Sequence, residues 1–310
     1  MLERIRELGI PPAWNDVWVC PYPFGHLQAT GVDAAGRKQY LYHERWRARR
    51  DAEKFDDMVQ FAHALPDLRG RVEDDLDGDG LTHERVLACA VRLLDRGFFR
   101  IGSEEYTDSF GLATMQKSHV ALGGDYEMVF DYRAKSGQRR IQGIIDPVVY
   151  EIVAALKRRR GGGDELLAYR DGRRWRDVRS DQINEYIKEA TGADFSAKDF
   201  RTWNATVLAA VALSVSGAVA GTKTGRKRAI TRAIKEVSHY LGNTPAVCRS
   251  AYVDPRIFDA FRSGLVVDQQ LLADAAEEPG QLPNHHPQIE RAVLDLLNEN
   301  ESSRVERLAA

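Results

Sequence analysis

Cysteine is scarce in this chain: Cys20, Cys89 and Cys248 are the only three among 310 residues, and they lie far apart. An odd, dispersed set excludes a disulfide framework, and no pair has metal-ligand spacing, so a reducing compartment is expected. The amino terminus, Met1-Leu2-Glu3-Arg4, carries an early acid and no apolar stretch, which excludes a secretory signal. Long hydrophobic runs are missing as well. Residues 202–222 hold no charge and approach the length of a membrane span. They include Asn204 with serines, threonines and glycines among mainly Ala and Val, so a buried helix is expected and no membrane partner. A cytoplasmic, nucleoid-associated location is the expectation. No internal repeat is present.

Large net charge is also lacking, at −2 overall, but the distribution is uneven. Residues 81–260 carry +7, residues 1–80 carry −4 and residues 261–310 carry −5. A basic middle between acidic ends suits a surface that follows phosphates, although charge runs are more often solvated faces. Hydrophobic content of 43% with 29% charged residues describes a globular protein.

Punctuation along the chain suggests two domains, 1–70 and 71–310. Residues 17–20 and 37–42 read as short strands between turn residues. A helix is expected over about Glu44 to Ala64, ended by Pro66. Residues 71–80 form an acidic, glycine-punctuated connector. Their alternating Asp75, Asp77 and Asp79 with Gly78 and Gly80 hint at a calcium loop but lack its closing glutamate, so a solvated linker is expected. Thr82 caps a helix that Gly97 stops as its C′ residue. Alternation through Tyr126, Met128, Phe130 and Tyr132 predicts a strand, turned at Lys135-Ser136-Gly137-Gln138 into a return strand over 139–145. From Asp146 onward the pattern is helical. Gly221 to Arg228 reads as a mobile cationic loop, and the tail beyond Pro279 as polar, then weakly amphipathic. The fold class is therefore α+β: a small mixed, β-rich first domain and a mostly helical second one containing a β-hairpin.

Within the second domain, four side chains stand out around Tyr252. A tyrosine can attack a phosphodiester if cations hold the phosphate and another group protonates the leaving oxygen; neither a metal nor a nucleotide is needed. Asn243-Thr244-Pro245 reads as an N-cap followed by Pro at N1, starting a helix that reaches Tyr252. Ser196 and Asp199 form a capping-box pattern that sets Arg201 in the first turn of the apolar helix, where a bound anion would satisfy both cation and helix end. Arg100 follows the Gly97 stop between aromatics and Gly102. Lys135 is at the hairpin tip. Taken singly, each has a commoner explanation: a half-buried tyrosine, an Arg201–Asp199 pair, a solvated turn lysine.

As a set they do not. The order Arg100, Lys135, Arg201, Asn243, Tyr252 resembles the active site shared by type IB DNA topoisomerases and tyrosine recombinases. Ile10-Pro11-Pro12-Ala13-Trp14, residues 25–31, residues 36–43, Phe99-Arg100-Ile101-Gly102 with Tyr106, Gly111-Leu112-Ala113-Thr114 and Lys198-Asp199-Phe200-Arg201-Thr202 are similar to the bacterial and poxviral branch of the topoisomerases. The resemblance implies relaxation of supercoiled duplex DNA through a 3′-phosphotyrosyl bond on Tyr252, without ATP, metal or other cofactor. Arg100 and Arg201 would hold the non-bridging oxygens and Lys135 would protonate the 5′-oxygen. Asn243, where many relatives carry His, would donate a hydrogen bond. Gln39, Tyr40, Tyr42, Tyr106 and Lys198 would touch DNA, the first domain would clamp it, and a monomer would suffice. Relatives carry about thirty β-rich residues ahead of the segment matched by Leu2-Glu3-Arg4-Ile5, so this first domain is expected to lack the strands of that stretch.

Two rival readings share the resemblance. A tyrosine recombinase would typically carry His three residues before the second arginine, where this chain has Lys198. A non-catalytic DNA-binding protein would tolerate loss of Tyr252 or Lys135, and both are intact.

Overall fold

Residues 2–104, 109–217, 221–277, 285–300 and 302–308 are described by the computed structural model, and their elements mix helix and strand in the expected α+β manner. The chain divides into two compact units at Asp57/Met58, ahead of the boundary near 70 that composition suggests.

In the first unit, helix α1 (Leu2–Glu7) precedes an antiparallel meander of β1 (Asn15–Val19), β2 (Leu27–Val32) and β3 (Lys38–Tyr42). The middle strand was not expected. Its Gly31 is required because a Cβ there would approach Trp14 Cε3 to 2.7 Å. That glycine, with Thr30 beside it, hides a strand from a reading based on apolar alternation.

Helix α2 (Glu44–Leu76) corrects two expectations: it runs through Pro66 and through residues 71–76 of the supposed connector. Proline costs about 3 kcal/mol in a helix interior, but the buried stripe that includes Leu65 continues beyond it through Leu68, Val72 and Leu76. Tertiary burial overrides the local break. Asp75 is likewise committed to structure, accepting from Tyr186 Oη at 2.7 Å and Arg71 Nε at 2.8 Å.

The second unit continues with α3 (His83–Gly97), capped by Thr82 as expected, and a sheet of β4 (Val120–Leu122), β5 (Glu127–Arg133) and β6 (Arg139–Ile145). The β5–β6 hairpin matches the predicted one in both strands and turn. Asp146 caps α4 (Pro147–Arg158) through Val148 N and Val149 N, both at 3.1 Å, while receiving Arg92 and Arg96 from α3. One buried carboxylate thus fixes two helices to each other.

The all-helical expectation after Asp146 fails at four short strands. They are β7 (Ala168–Asp171) with β8 (Arg174–Asp177), and β9 (Leu265–Val267) with β10 (Val305–Arg307). Around them lie α5 (Ser180–Thr191), α6 (Ala197–Gly217), α7 (Lys223–Leu241), α8 (Pro245–Ala251), α9 (Pro255–Arg262), α10 (Gln269–Glu277) and α11 (Pro287–Leu297). The cationic loop after Gly221 is also corrected. Thr222 caps α7 by accepting from Gly225 N at 3.0 Å, and residues 223–228 are helical. The uncharged stretch forms most of α6, buried as expected; no described helix is long and apolar enough to cross a membrane.

The core of this unit contains a buried ionic cluster. Arg69 of α2 forks onto Asp95 of α3, at 2.8 and 3.0 Å, and onto Glu290 of α11, at 2.6 and 2.9 Å. Trp203 of α6 donates to the same Glu290 at 3.1 Å. Four helices meet there. His285, buried beside Asp95, is driven down to about 4 by burial and by the charges of Arg69, Arg96 and Arg92, which outweigh the opposing pull of Asp95. Burial would raise Asp95, yet Arg69 holds it below the usual carboxylate range.

Because His285 is neutral in the fold and protonates near 6.5 when unfolded, the unfolded state binds more protons between those values. Stability is therefore full above pH 6.5 and falls toward pH 4, by on the order of 3 kcal/mol. The Asp95 contribution is lost only at still lower pH. Urea unfolding across this range should show that slope in the wild type and a shallower one in His285→Asn; equal slopes would contradict the assignment.

Candidate functional site

Helix α3 ends on Gly97, and Phe98, not Gly97, takes the left-handed conformation, at φ 53° and ψ 22°. Gly97 is needed for space: a Cβ there would lie 2.6 Å from Phe99 Cδ2 and 2.7 Å from Ile144 Cδ1. The turn sends Phe99 into the core against Phe130, with ring centroids 4.9 Å apart, and leaves Arg100 half-buried. Beyond it, Leu112 N donates to Arg100 O at 2.8 Å and Ala113 N to Ile101 O at 2.7 Å. The Phe99–Gly102 and Gly111–Thr114 motifs are therefore one packed piece, and a Cβ on Gly111 would fall 2.7 Å from Arg100 O.

Ser196 N and Oγ both donate to Asp199, at 2.8 and 3.1 Å, and start α6 as the capping pattern predicts. Arg201 is the fifth residue of that helix, one turn further in than expected. Its side chain crosses the core: Nη1 donates to Phe98 O, and Nη2 donates to Leu241 O at 3.0 Å. Burial leaves Arg201 only 4% exposed and pulls its pKa down to about 10, still protonated at neutral pH.

The end of α7 is closed by cations. Gly242, at φ 63°, carries the chain out, and Asn243 N donates back to Ser238 O at 3.0 Å. Arg140 of β6 donates to His239 O at 2.7 Å and to Tyr240 O, and Arg201 takes Leu241 O. The last carbonyls of the helix are all paired, at the end where its dipole favours positive charge. The α8 N-cap is Thr244, whose Oγ1 accepts from Val247 N at 3.3 Å; Asn243 lies one residue outside, a correction to the expected cap. Asn243 Oδ1 is consequently available to accept from Arg100 Nη2.

Tyr252 is the residue at which α8 stops. Thr206 of α6 brackets it, donating from Oγ1 to Tyr252 O at 3.3 Å and accepting from Asp254 N at 3.2 Å. The Arg201 guanidinium carbon lies 5.2 Å from the Tyr252 ring centre. Burial would raise this phenol. The charges of Arg201 and then Arg100 outweigh it and hold the pKa below its ordinary value. Among the described residues no carboxylate pairs with Arg100, Arg140 or Arg201. Arg201 Nε and Asn243 Nδ2 are buried donors that make no well-formed hydrogen bond there. A phenol beside clustered guanidiniums and unused donors is an arrangement for an anion that the phenol can attack.

Four of the five expected site residues are thus together. Lys135 is exposed at the hairpin tip and makes no contact with the other four among the described interactions. The hairpin itself is fixed near the site, by Arg140 and by Gln142 Nε2 donating to Gly97 O. Lys198 is exposed in the first turn of α6. In the first unit, Gln39 donates to Asp33 at 2.9 Å, and Tyr40 stacks with Tyr42, ring centres 6.2 Å apart. Tyr106 lies outside the described residues. Arg140 and Thr206 went unnoticed in the sequence. Strand alternation with Gln142 and Ile144 does mark Arg140 as inward-facing, whereas nothing local marks Thr206.

A family model for the catalytic core of eukaryotic DNA topoisomerase I matches residues 43–263, and one for the N-terminal domain of bacterial DNA topoisomerase IB matches residues 1–33. All five expected site residues fall inside the first match; Gln39, Tyr40 and Tyr42 lie between the two. A DNA topoisomerase 1B of Acanthamoeba polyphaga mimivirus is 32% identical over 262 residues, spanning 81% of this chain and 77% of its own length.

Alkaline difference spectra between wild type and Tyr252→Phe isolate this phenol. Its midpoint is expected below 10.0, and Arg100→Gln should move it upward. A wild-type midpoint at or above 10.0 would show that the cations do not outweigh burial at the tyrosine.

Proposed function

Because the chain belongs to the DNA topoisomerase I family, of type IB, and is a type I topoisomerase by that membership, we propose that it relaxes supercoiled duplex DNA by cutting and resealing one strand through a 3′-phosphotyrosyl bond on Tyr252. The observation that carries this reading is the depressed Tyr252 phenol against Arg201, Arg100 and Asn243, with no acid beside them among the described residues.

The chemistry is a transesterification. The Tyr252 oxygen attacks the phosphorus and its proton passes to solvent, which the cations ease by favouring phenolate. The phosphorus–O5′ bond breaks, and Lys135 supplies the proton to the departing oxygen. Arg100 and Arg201 bind the non-bridging oxygens, whose charge concentrates in the transition state, and Asn243 Nδ2 adds a neutral donor. The cut strand rotates. The 5′-hydroxyl then attacks, Lys135 takes its proton back, and the phenolate leaves. One phosphoester replaces another, so no nucleotide is consumed. The fixed guanidiniums supply the positive charge that divalent ions provide in other phosphoryl transfers, and we propose activity without metal or other cofactor.

Gln39, Tyr40, Tyr42, Tyr106 and Lys198 serve as DNA contacts in this reading, with the first unit closing on the duplex. One chain carries all five reacting and holding groups, so a monomer acts, on the nucleoid in the cytoplasm.

Supercoiled plasmid incubated with EDTA and no ATP should be relaxed by the wild type and untouched by Tyr252→Phe. Arg100→Ala or Arg201→Ala should each lose about 10²-fold or more. A duplex with sulfur at the 5′-bridging position supplies a leaving group that departs unprotonated. It should rescue cleavage by Lys135→Ala and leave Arg201→Ala slow. Rescue of both, or of neither, would remove Lys135 from the acid role.

A further inference from the structure

The turn between β1 and β2 presents two aromatic side chains to solvent on a backbone that is tied down beneath them. Phe24 is 81% exposed and Tyr22 73%, the highest values for aromatics among the described residues. The carbonyls of this turn are held from below. Buried Gln28 donates through Nε2 to Gly25 O at 2.6 Å and Pro23 O at 3.1 Å, and Arg4 Nη1 donates to Tyr22 O at 3.2 Å. Gly25 packs so closely that a Cβ would lie 2.7 Å from Cys20 Sγ. Single exposed apolar side chains are ordinary. Two on one three-residue tip, with the backbone immobilised, form a pre-organised contact that loses little entropy on binding.

The surroundings favour a polyanion with apolar surface. The Phe24 ring lies 6.2 Å from His43, which follows the Tyr40–Tyr42 stack, and Tyr42 stacks on Trp46 at 4.3 Å. Lys38 sits over Tyr40 and Arg50 over Trp46, at 5.8 and 5.9 Å. Arg45 and Arg47 are exposed, and among the described residues no acid pairs with them. Interleaved aromatics and cations match the sugar, base and phosphate surfaces of a groove. Two side chains offer far less than the roughly 800 Å² per partner of a stable protein interface.

We propose that Tyr22-Pro23-Phe24 is an apolar wedge for duplex DNA, Phe24 seated on a base step and Tyr22 on the adjoining sugars. The wedge rests on the DNA reading above and extends it to a contact outside the cleavage chemistry. Apolar wedges of this kind partly unstack the step they enter.

The test uses the full chain carrying Tyr252→Phe, which cannot cleave, titrated onto a fluorescent duplex across a salt series. Tyr22→Ser with Phe24→Ser should weaken binding about 10- to 100-fold at every salt, leaving the slope of log affinity against log salt unchanged. Arg45→Gln with Arg47→Gln should instead flatten that slope. Phe24→Trp should retain the affinity. A duplex carrying 2-aminopurine should brighten with the native tip and not with Phe24→Ser.

Thermal melting of the serine variant should match the parent, since both side chains are exposed. Unchanged affinity in a variant that melts normally would overturn the wedge while leaving the DNA reading standing. Loss only of self-association in sedimentation, or of anionic-vesicle binding, would assign the tip to a second copy or a lipid surface and overturn it equally. Failure of the native-tip protein to bind duplex at all would overturn the underlying reading as well.

Discussion

The Arg201 guanidinium is a charge that folding has taken out of water with no carboxylate among the described residues to neutralise it. Burying an ion costs several kcal/mol even after the surroundings relax. Here the offset comes from two backbone carbonyls, Phe98 O and Leu241 O, and from the face of Tyr252. Those partners belong to three different parts of the chain. Phe98 must be left-handed to turn its carbonyl inward, α7 must end at Leu241, and α8 must stop at Tyr252. Holding this one cation therefore fixes where each of these segments ends, and with them where Arg100, Asn243 and the tyrosine stand.

The same arrangement sets the electrostatics. With no acid nearby among the described residues, the field of Arg201 and Arg100 falls on the phenol. Asn243 completes it without adding charge: its Oδ1 accepts from Arg100, while Nδ2 stays buried without a hydrogen bond. The neutral amide thus orients one cation and leaves its own donor unused. Rigidity beneath the site has a separate source. Asp146 locks α3 to α4, and Arg69 joins α2, α3 and α11 through two carboxylates. These ties, with Trp203 of α6 donating to Glu290, hold α3 and α6, the helices that position the two arginines.

Local chemistry made part of this legible in the sequence. Thr82 as cap, the Lys135 hairpin and the Ser196–Asp199 start of α6 follow from side chains that act on their own neighbours. What escaped depends on distant partners. Pro66 stays helical only because the stripe beyond it is buried, and β10 exists only through its pairing with β9, some forty residues upstream. Gly97 looked like a helix stop, but Phe99 and Ile144 decide its role by occupying the space a side chain would need. Asn243 looked like a cap, yet Thr244 performs that task and frees the amide for Arg100. Residue types and their order picked out Arg100, Arg201, Asn243 and Tyr252, which the fold brings together; their hydrogen-bond plan required the fold.

The central claim is that the Tyr252 oxygen becomes the covalent partner of a 3′-phosphate. The most direct measurement traps the protein on a nicked or shortened duplex with detergent, digests it, and locates the nucleotide by mass spectrometry. The account predicts a nucleotide on the peptide containing Tyr252, joined through its 3′-phosphate, with a free 5′-hydroxyl on the released strand. Attachment to any other residue, linkage through a 5′-phosphate, or DNA cleaved with no covalent protein would contradict it.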